Sequence, residues 1–260
     1  MSERLYILSR TSGRPNFFAR MRESVRALTW PDVVHIVHTD DPRDTYVEGD
    51  IVVYGEAYPP HMGAATYNLY NNRLLNAIPG QGWVAFIDDD DEYAAPDVFE
   101  RLLANGDKGR LHTGQAARWG DTVWNTDPKV TQRQFQTECF CAWSTIAKKG
   151  KWWSGKGGDH HYTRQLVKQA RPQWHEVLIA RAQEGKGRGK RVDIGGVEPD
   201  LDNALPEAKE VDFKLFISKD RRRREGKFTK LRYSEARKLE REGFGRVTYK
   251  GVTNESFISE

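Results

Sequence analysis

Four aspartates in a row, Asp88 to Asp91, follow directly on a short apolar run, Trp83-Val84-Ala85-Phe86-Ile87. A strand that ends in a carboxylate cluster crowds several anionic oxygens into one small space. Such charges repel and raise one another's pKa unless a cation sits among them. Hard oxygen ligands favour Mg2+ or Mn2+. A divalent ion at the carboxyl end of a strand is well placed to neutralise a diphosphate. The competing reading is an acidic surface turn, the usual fate of an acid run. Position argues against it here, because the run follows a buried-looking strand and does not sit in a low-complexity tail.

Other residues with chemical potential lie further along. Asp159-His160-His161 opens an expected helix, with Asp159 suited to its N-cap. His160, His161 and His175 are candidates for a further metal or phosphate contact, though a single histidine is more often a structural hydrogen-bonder. Trp152 and Trp153 lie in a glycine-rich loop and offer flat faces for a sugar or base, or pack within that loop. Lys186, Arg188 and Lys190 stand among glycines where they would close over a diphosphate. Cys139 and Cys141 are the two cysteines, too few for a disulfide framework, and read as partly buried thiols. No other Cys or His stands at zinc-ligand spacing from them.

The elements that must position these residues are legible through the first half of the chain. Strands are expected over Arg4–Ser9, Val33–Val37, Ile51–Tyr54 and Trp83–Ile87. Helices are expected over Phe17–Leu28, Ala64–Ile78 and Pro96–Ala104, from apolar residues at helical spacing. Pro15 suits the first turn of the first helix. Alternating strands and helices predict an α/β fold with a mostly parallel sheet flanked by helices. Ligands in such sheets bind beyond the carboxyl ends of the strands. Three polar segments meet there: Thr11 to Asn16, Thr39 to Asp41, and Asp88 to Asp91.

Beyond Gly109 the pattern is weaker. Arg110–Ala117 reads as a strand, Cys139–Ile146 as a strand or short helix, Asp159–Ala170 as a helix and Trp174–Ala182 as a strand. Glu184–Lys190 looks mobile, residues 193 to 212 look loop-like, and Ser234–Glu242 reads as a charged helix. The expected division is a catalytic domain over 1–190 and a linker with a basic extension over 191–260.

Charge supports that division. From Lys214 to Lys250 there are 14 Lys or Arg against 5 Asp or Glu, a surplus of 9. With a net charge of +4, the remainder stands at 4 − 9 = −5. Positive charge interleaved with Phe228 and Tyr233 is a nucleic-acid footprint, and Arg221, Arg222, Arg223 and Arg224 are its densest part. The same charge suits anionic lipid headgroups or a solvated helix. No apolar stretch approaches the roughly 18 residues of a membrane helix. The N-terminus carries no secretory pattern, which predicts a cytoplasmic protein.

Several of these strings resemble the GT-A glycosyltransferases, especially the large family-2-like group. Arg14-Pro15-Asn16-Phe17 is similar to the opening that follows their first strand. Thr29-Trp30-Pro31 sits where that group often ends its first helix in a "QTYP"-like string. The closest match is Tyr67-Asn68-Leu69-Tyr70-Asn71 followed by Gly82 to Glu92, which is similar to the "FLDDDD" form of the DXD motif. The resemblance covers about residues 4 to 165. It implies a nucleotide-sugar donor, with a UDP-sugar expected, and Mn2+ or Mg2+. It makes Asp88 and Asp90 the metal-binding pair, with Asp88 and Asp89 near the nucleotide. It places Thr11, Arg14, Asp40 and Asn68 around the donor. Gly158-Asp159-His160 falls where the family carries an "ED"-type motif, which makes Asp159 the expected base of an inverting transfer; the chain departs from the motif at Gly158. Trp152, Trp153 and Arg221 to Arg224 are the expected acceptor contacts. The expected acceptor is the hydroxyl of a 5-hydroxymethylpyrimidine in DNA, as in bacteriophage DNA-modifying enzymes. A cell-surface glycan, or in another class a metal-dependent nuclease or a non-catalytic nucleic-acid binder, are the alternatives.

Overall fold

The computed structural model describes residues 3–41, 44–59, 62–63, 65–118, 122–128, 130 and 135–183, together with strand backbone at 210–216, 226–232 and 245–248. The chain divides into two units, Met1–Gly196 and Val197–Glu260.

In the first unit, β1 (Leu5–Thr11) lies between β2 (Val33–Thr39) and β4 (Trp83–Asp88), parallel to both. Both faces of β1 are covered, so its apolar run is continuous and does not alternate; Leu5, Tyr6, Ile7 and Leu8 are all buried. β3 (Ile51–Tyr54) continues the parallel sheet on the far side of β2. Beyond β4 the sheet turns mixed. β8 (Phe140–Trp143) runs antiparallel to β4 and to β6 (Arg110–Arg118), and β9 (Arg171–Ala182) is parallel to β6. β5 (Asp91–Tyr93) pairs antiparallel with β9, and β7 (Thr122–Trp124) with β6. The α/β class with helices packed on a sheet is therefore as the sequence predicts.

Helix α1 (Pro15–Arg26) starts with its proline in the first turn and buries Phe17, Phe18, Met21 and Val25. It begins two residues before the expected start, and Leu28 is buried just past its end. The helix expected over Ala64–Ile78 is two pieces: a 3-10 turn, Thr66–Leu69, then α2 (Tyr70–Ala77). α3 (Val98–Leu102) is shorter than expected. The segment read as strand or helix over Cys139–Ile146 is both, β8 followed by α4 (Ser144–Ala147). α5 (Gly158–Val167) then leads to β9. Cys139 and Cys141 are buried and unbridged.

In the second unit, β10 (Glu210–Phe216) pairs antiparallel with β11 (Gly226–Arg232) and β12 (Gly245–Thr248). This corrects the loop-like reading, which ran to residue 212. The signal was the period-two alternation of Val211, Phe213 and Leu215. The expected helix Ser234–Glu242, the Arg221 to Arg224 run, and Lys186, Arg188 and Lys190 lie outside the described residues. Among the described residues, no helix is long and apolar enough to cross a membrane.

Two buried histidines on β2 make the fold sensitive to acid. His35 is fully buried, with its ring within 2.8 Å of Ser9 Oγ and of Arg22 Nη1. Burial, and then the Arg22 charge, push it from 6.5 down to about 3. His38 is pushed down to about 4, by burial and then Arg73. A depressed folded-state value means that stability is complete above the unfolded value and is lost as pH falls through the folded one. For His35 the window runs from 6.5 toward 3. Between pH 7 and pH 4 the stability of the parent relative to His35→Gln is expected to fall by about 3 kcal/mol. Urea unfolding of both proteins at several pH values measures it; a constant difference would contradict a neutral buried ring.

Candidate active site

The carboxyl ends of β1, β2 and β4 meet at one edge of the sheet, and the aspartate run crosses it. Asp88 closes β4, Asp89 and Asp90 form a turn, and Asp91 opens β5. The turn splits the four side chains into two groups. Carboxylate oxygens of Asp88, Asp90 and Asp91 converge within 4.8 Å of one another. Three hard oxygen donors at that spacing fit Mg2+ or Mn2+. Asp91 is thus an addition to the expected pair of Asp88 and Asp90.

Asp89 points the other way. Its Oδ1 accepts from Arg14 Nη1 at 2.9 Å and its Oδ2 from Thr11 Oγ1 at 2.9 Å. Arg14 Nη1 also lies 3.2 Å from Asp90 Oδ2. Burial raises Asp89 above the ordinary carboxylate range, and the Arg14 charge opposes the rise. Burial lowers Arg14, but Asp89, Asp90 and Asp88 more than offset this and hold it raised. The ion-pair geometry decides in favour of an ionised Asp89. The resemblance implies that Thr11, Arg14 and Asp89 lie against the nucleotide. In the structure both Asp89 carboxylate oxygens are engaged by Thr11 and Arg14, a scaffolding arrangement. Breaking a buried pair from one side strands a charge. Asp89→Ala is therefore expected to lower unfolding stability by about 3 kcal/mol, read from the urea midpoint; an unchanged midpoint would refute the scaffold role.

A residue with no sequence signal completes the turn. Gln183, buried just past β9, has its Nε2 at 3.0–3.1 Å from the carbonyl oxygens of Phe17, Asp89 and Asp91. Its backbone N–H donates to the Asp90 carbonyl at 3.0 Å. The backbone of the aspartate turn is thus fixed from about ninety residues away in sequence.

At the end of β2, Asp40 Oδ2 accepts from Tyr70 O–H at 2.8 Å, while its Oδ1 is buried without a hydrogen-bond partner among the described residues. The Tyr70 ring stacks on His38 at 4.4 Å and on Tyr58 at 5.4 Å. Asp40 therefore keeps an acceptor oxygen beside aromatic faces. Asp44, which the sequence does not single out, is also buried here. It accepts from Thr39 Oγ1 at 2.6 Å and from the Gly13 N–H at 3.2 Å. Burial pushes it up to about 6 against those two hydrogen bonds, and Asp41 adds to the rise.

On the other side of the aspartates lies a cavity of about 140 Å³. Arg10, Tyr67, Asn68 and Asp88 line one wall, and Gly157, Gly158 and Asp159 another. Arg10 joins the pieces: it pairs with Asp88 Oδ1 at 3.0 Å and donates to Asn68 Oδ1 and to the Tyr67 carbonyl, both at 3.1 Å. Asn68 in turn donates to the Gly155 carbonyl at 3.1 Å. Asp159 stands in the first turn of α5 and not at the cap. The cap is Gly157, whose φ of 74° suits glycine. Asp159 Oδ1 accepts from the His160 N–H at 2.7 Å. Burial raises its pKa, the His160 N–H opposes this, and Asp88 adds to the rise. A Cβ at Gly158 would lie 2.4 Å from Asn68 Nδ2, so a side chain there would require Asn68 to shift.

The two tryptophans separate. Trp152 is 2 % exposed, stacked on Tyr162 at 4.6 Å and edge-on to Phe86. It is core, which corrects its expected role as a ligand platform. Trp153 is 47 % exposed and stacks on His161 at 4.6 Å. His175 pairs with His112 at 3.1 Å, at the end of β6 away from the aspartates, so it takes no part in the site. His160 lies beside Asp159, and burial lowers it.

No family model and no curated protein matches the sequence. The fold has solved relatives. Residues 1–349 of TarS from S. aureus superpose with a TM-score of 0.54 at 13 % identity, over 69 % of this chain and 60 % of that one. The same protein in complex with UDP-GlcNAc gives 0.51 at 11 % identity, over 71 % and 59 %. The mannosyltransferase PcManGT from Pyrobaculum calidifontis, in complex with GDP-Man and Mn2+, gives 0.50 at 12 % identity, over 73 % and 59 %. The chain thus spans about three fifths of the length of these structures. Its first unit has the GT-A fold.

Proposed function

We propose that this chain is a metal-dependent glycosyltransferase that moves a sugar from a nucleotide-sugar donor to a hydroxyl. One observation carries the reading: the Asp88, Asp90 and Asp91 carboxylates converge beside a cavity that also holds Asp159. The solved relatives with bound UDP-GlcNAc, or GDP-Man and Mn2+, add support through the shared fold.

The chemistry follows from the residues. Asp88, Asp90 and Asp91 would hold Mn2+ or Mg2+, which when bound supplies Lewis-acid neutralisation of the diphosphate. Asp40, with one free acceptor oxygen beside the Tyr70 and Tyr58 rings, reads the nucleoside. Arg10 keeps Asp88 aligned and adds positive charge. Asp159, raised by burial, takes the proton of the acceptor hydroxyl as its oxygen bonds to the anomeric carbon. The bond from that carbon to the diphosphate breaks with its electron pair on the nucleotide, a single displacement that inverts the centre. Trp153 and His161 give a stacked pair of rings for the acceptor.

For the acceptor, a 5-hydroxymethylpyrimidine in DNA is supported by the charge surplus between Lys214 and Lys250, and a glycan by the Trp153 ring face. The experiment is a panel of UDP- and GDP-sugars incubated with the protein and Mn2+, first alone and then with hydroxymethylated DNA or glycans, read by mass spectrometry. Slow donor hydrolysis and a mass gain on one acceptor are expected. Nicked plasmid and no turnover of any donor would replace the reading with a nuclease.

A further inference from the structure

The cavity beside Asp159 has a third wall that the proposed reaction has not yet used. It comes from the end of β6 and from the turn before β8: Arg118, Thr137 and Glu138. Glu138 is 3 % and Thr137 6 % exposed, yet both line the cavity. Arg118 is held in place on two sides. Its Nε donates to Gln136 Oε1 at 2.6 Å, and its guanidinium lies over the Trp124 ring at 5.1 Å. The wall therefore presents a carboxylate, a hydroxyl and a pre-positioned guanidinium.

That set has the chemistry of polyol recognition. Adjacent hydroxyls donate to a carboxylate and accept from a planar guanidinium. A nucleobase would want a flat apolar face. Among the described residues Tyr67 is the one aromatic residue of the lining, and the Arg10 guanidinium already lies over its ring at 4.8 Å. On the transferase reading Asp88 lies toward the diphosphate and Asp159 toward the acceptor, and all three wall residues share their cavity, so the polyol to be met there is the group in transit.

Resting on the transferase reading, we propose that Glu138 and Arg118, with Thr137, bind the hydroxyls of the transferred sugar and determine which sugar the protein accepts. A site that hydrogen-bonds a hydroxyl discriminates strongly against a ligand that lacks or misplaces it.

The test is calorimetric binding in Mn2+ of UDP, GDP, UDP-glucose, UDP-galactose, UDP-GlcNAc and GDP-mannose to the parent, Glu138→Gln, Arg118→Met and Thr137→Val. In the parent, one sugar is expected to strengthen binding at least about tenfold over its free diphosphate, with its epimer gaining less. Glu138→Gln and Arg118→Met should each erase most of that gain, with affinity for the free diphosphate unchanged within about twofold. Thr137→Val should erase a smaller part. Diphosphate binding in the parent with no gain from any sugar overturns the proposal and leaves the transferase reading standing. So does a gain that survives all three substitutions, or an equal loss of diphosphate and sugar-nucleotide affinity in all three. A parent that binds neither diphosphate overturns both readings.

Discussion

Asp90→Asn is expected to lower kcat/KM for the accepted donor by about a thousandfold, or about 4 kcal/mol of transition-state stabilisation. The amide keeps the shape of the turn and leaves Gln183 on its backbone carbonyl. It removes one anionic oxygen from the set that converges within 4.8 Å. The effect is therefore specific: divalent-ion dependence weakens, far-UV circular dichroism stays the same, and raised Mn2+ restores part of the rate. Asp89→Ala gives the opposite pattern, with stability lost first, because both Asp89 oxygens are taken by Arg14 and Thr11, whereas Asp90 shares Arg14 but also joins the converging carboxylates. If Asp90→Asn and Asp89→Ala behaved alike, the division of the four aspartates into ligands and scaffold would be wrong.

Asp159→Asn is the second large effect. General-base catalysis contributes about 10²- to 10⁴-fold, so transfer should fall by roughly a thousandfold. Nucleotide binding should survive, because the asparagine keeps the volume of Asp159. The pH profile provides a second readout. Burial raises the Asp159 carboxyl above its ordinary value of 3.8. A base works only when ionised, so the parent loses rate as pH falls through that raised value. The variant should lack this acid limb. An Asp159→Asn protein with near-parent transfer, or with the limb intact, would give the base to another residue.

The parts legible in the sequence are those set by short-range pattern. β1 and β4 announce themselves because both faces are covered and their apolar runs are unbroken. The site's general position follows, since the acid run is attached to the end of β4. What the sequence does not carry is the direction each side chain takes within the turn. Asp89 stands outside the converging set because Thr11 and Arg14 take both of its oxygens, and those contacts form across 78 and 75 residues. Gln183 is invisible for the same reason. Trp152 and Trp153 are alike as sequence; the structure separates them because Asn72 bonds both the N–H and the carbonyl of Trp152, drawing that ring inward onto Tyr162. Glu138 looks like an ordinary acidic residue until the turn before β8 brings it to the wall of the cavity. In the second unit, β10 was hidden by the acidic, proline-containing sequence that leads into it.

The account rests on a dication held by three neighbouring carboxylates, and locating that ion tests it most directly. Crystals grown with Mn2+ and the diphosphate of the accepted donor would be measured at the manganese absorption edge. The expected result is one anomalous peak coordinated by oxygens of Asp88, Asp90 and Asp91 and by the diphosphate, absent in Asp90→Asn. Manganese bound elsewhere, or a diphosphate seated with no metal at this turn while the donor is still turned over, would contradict it.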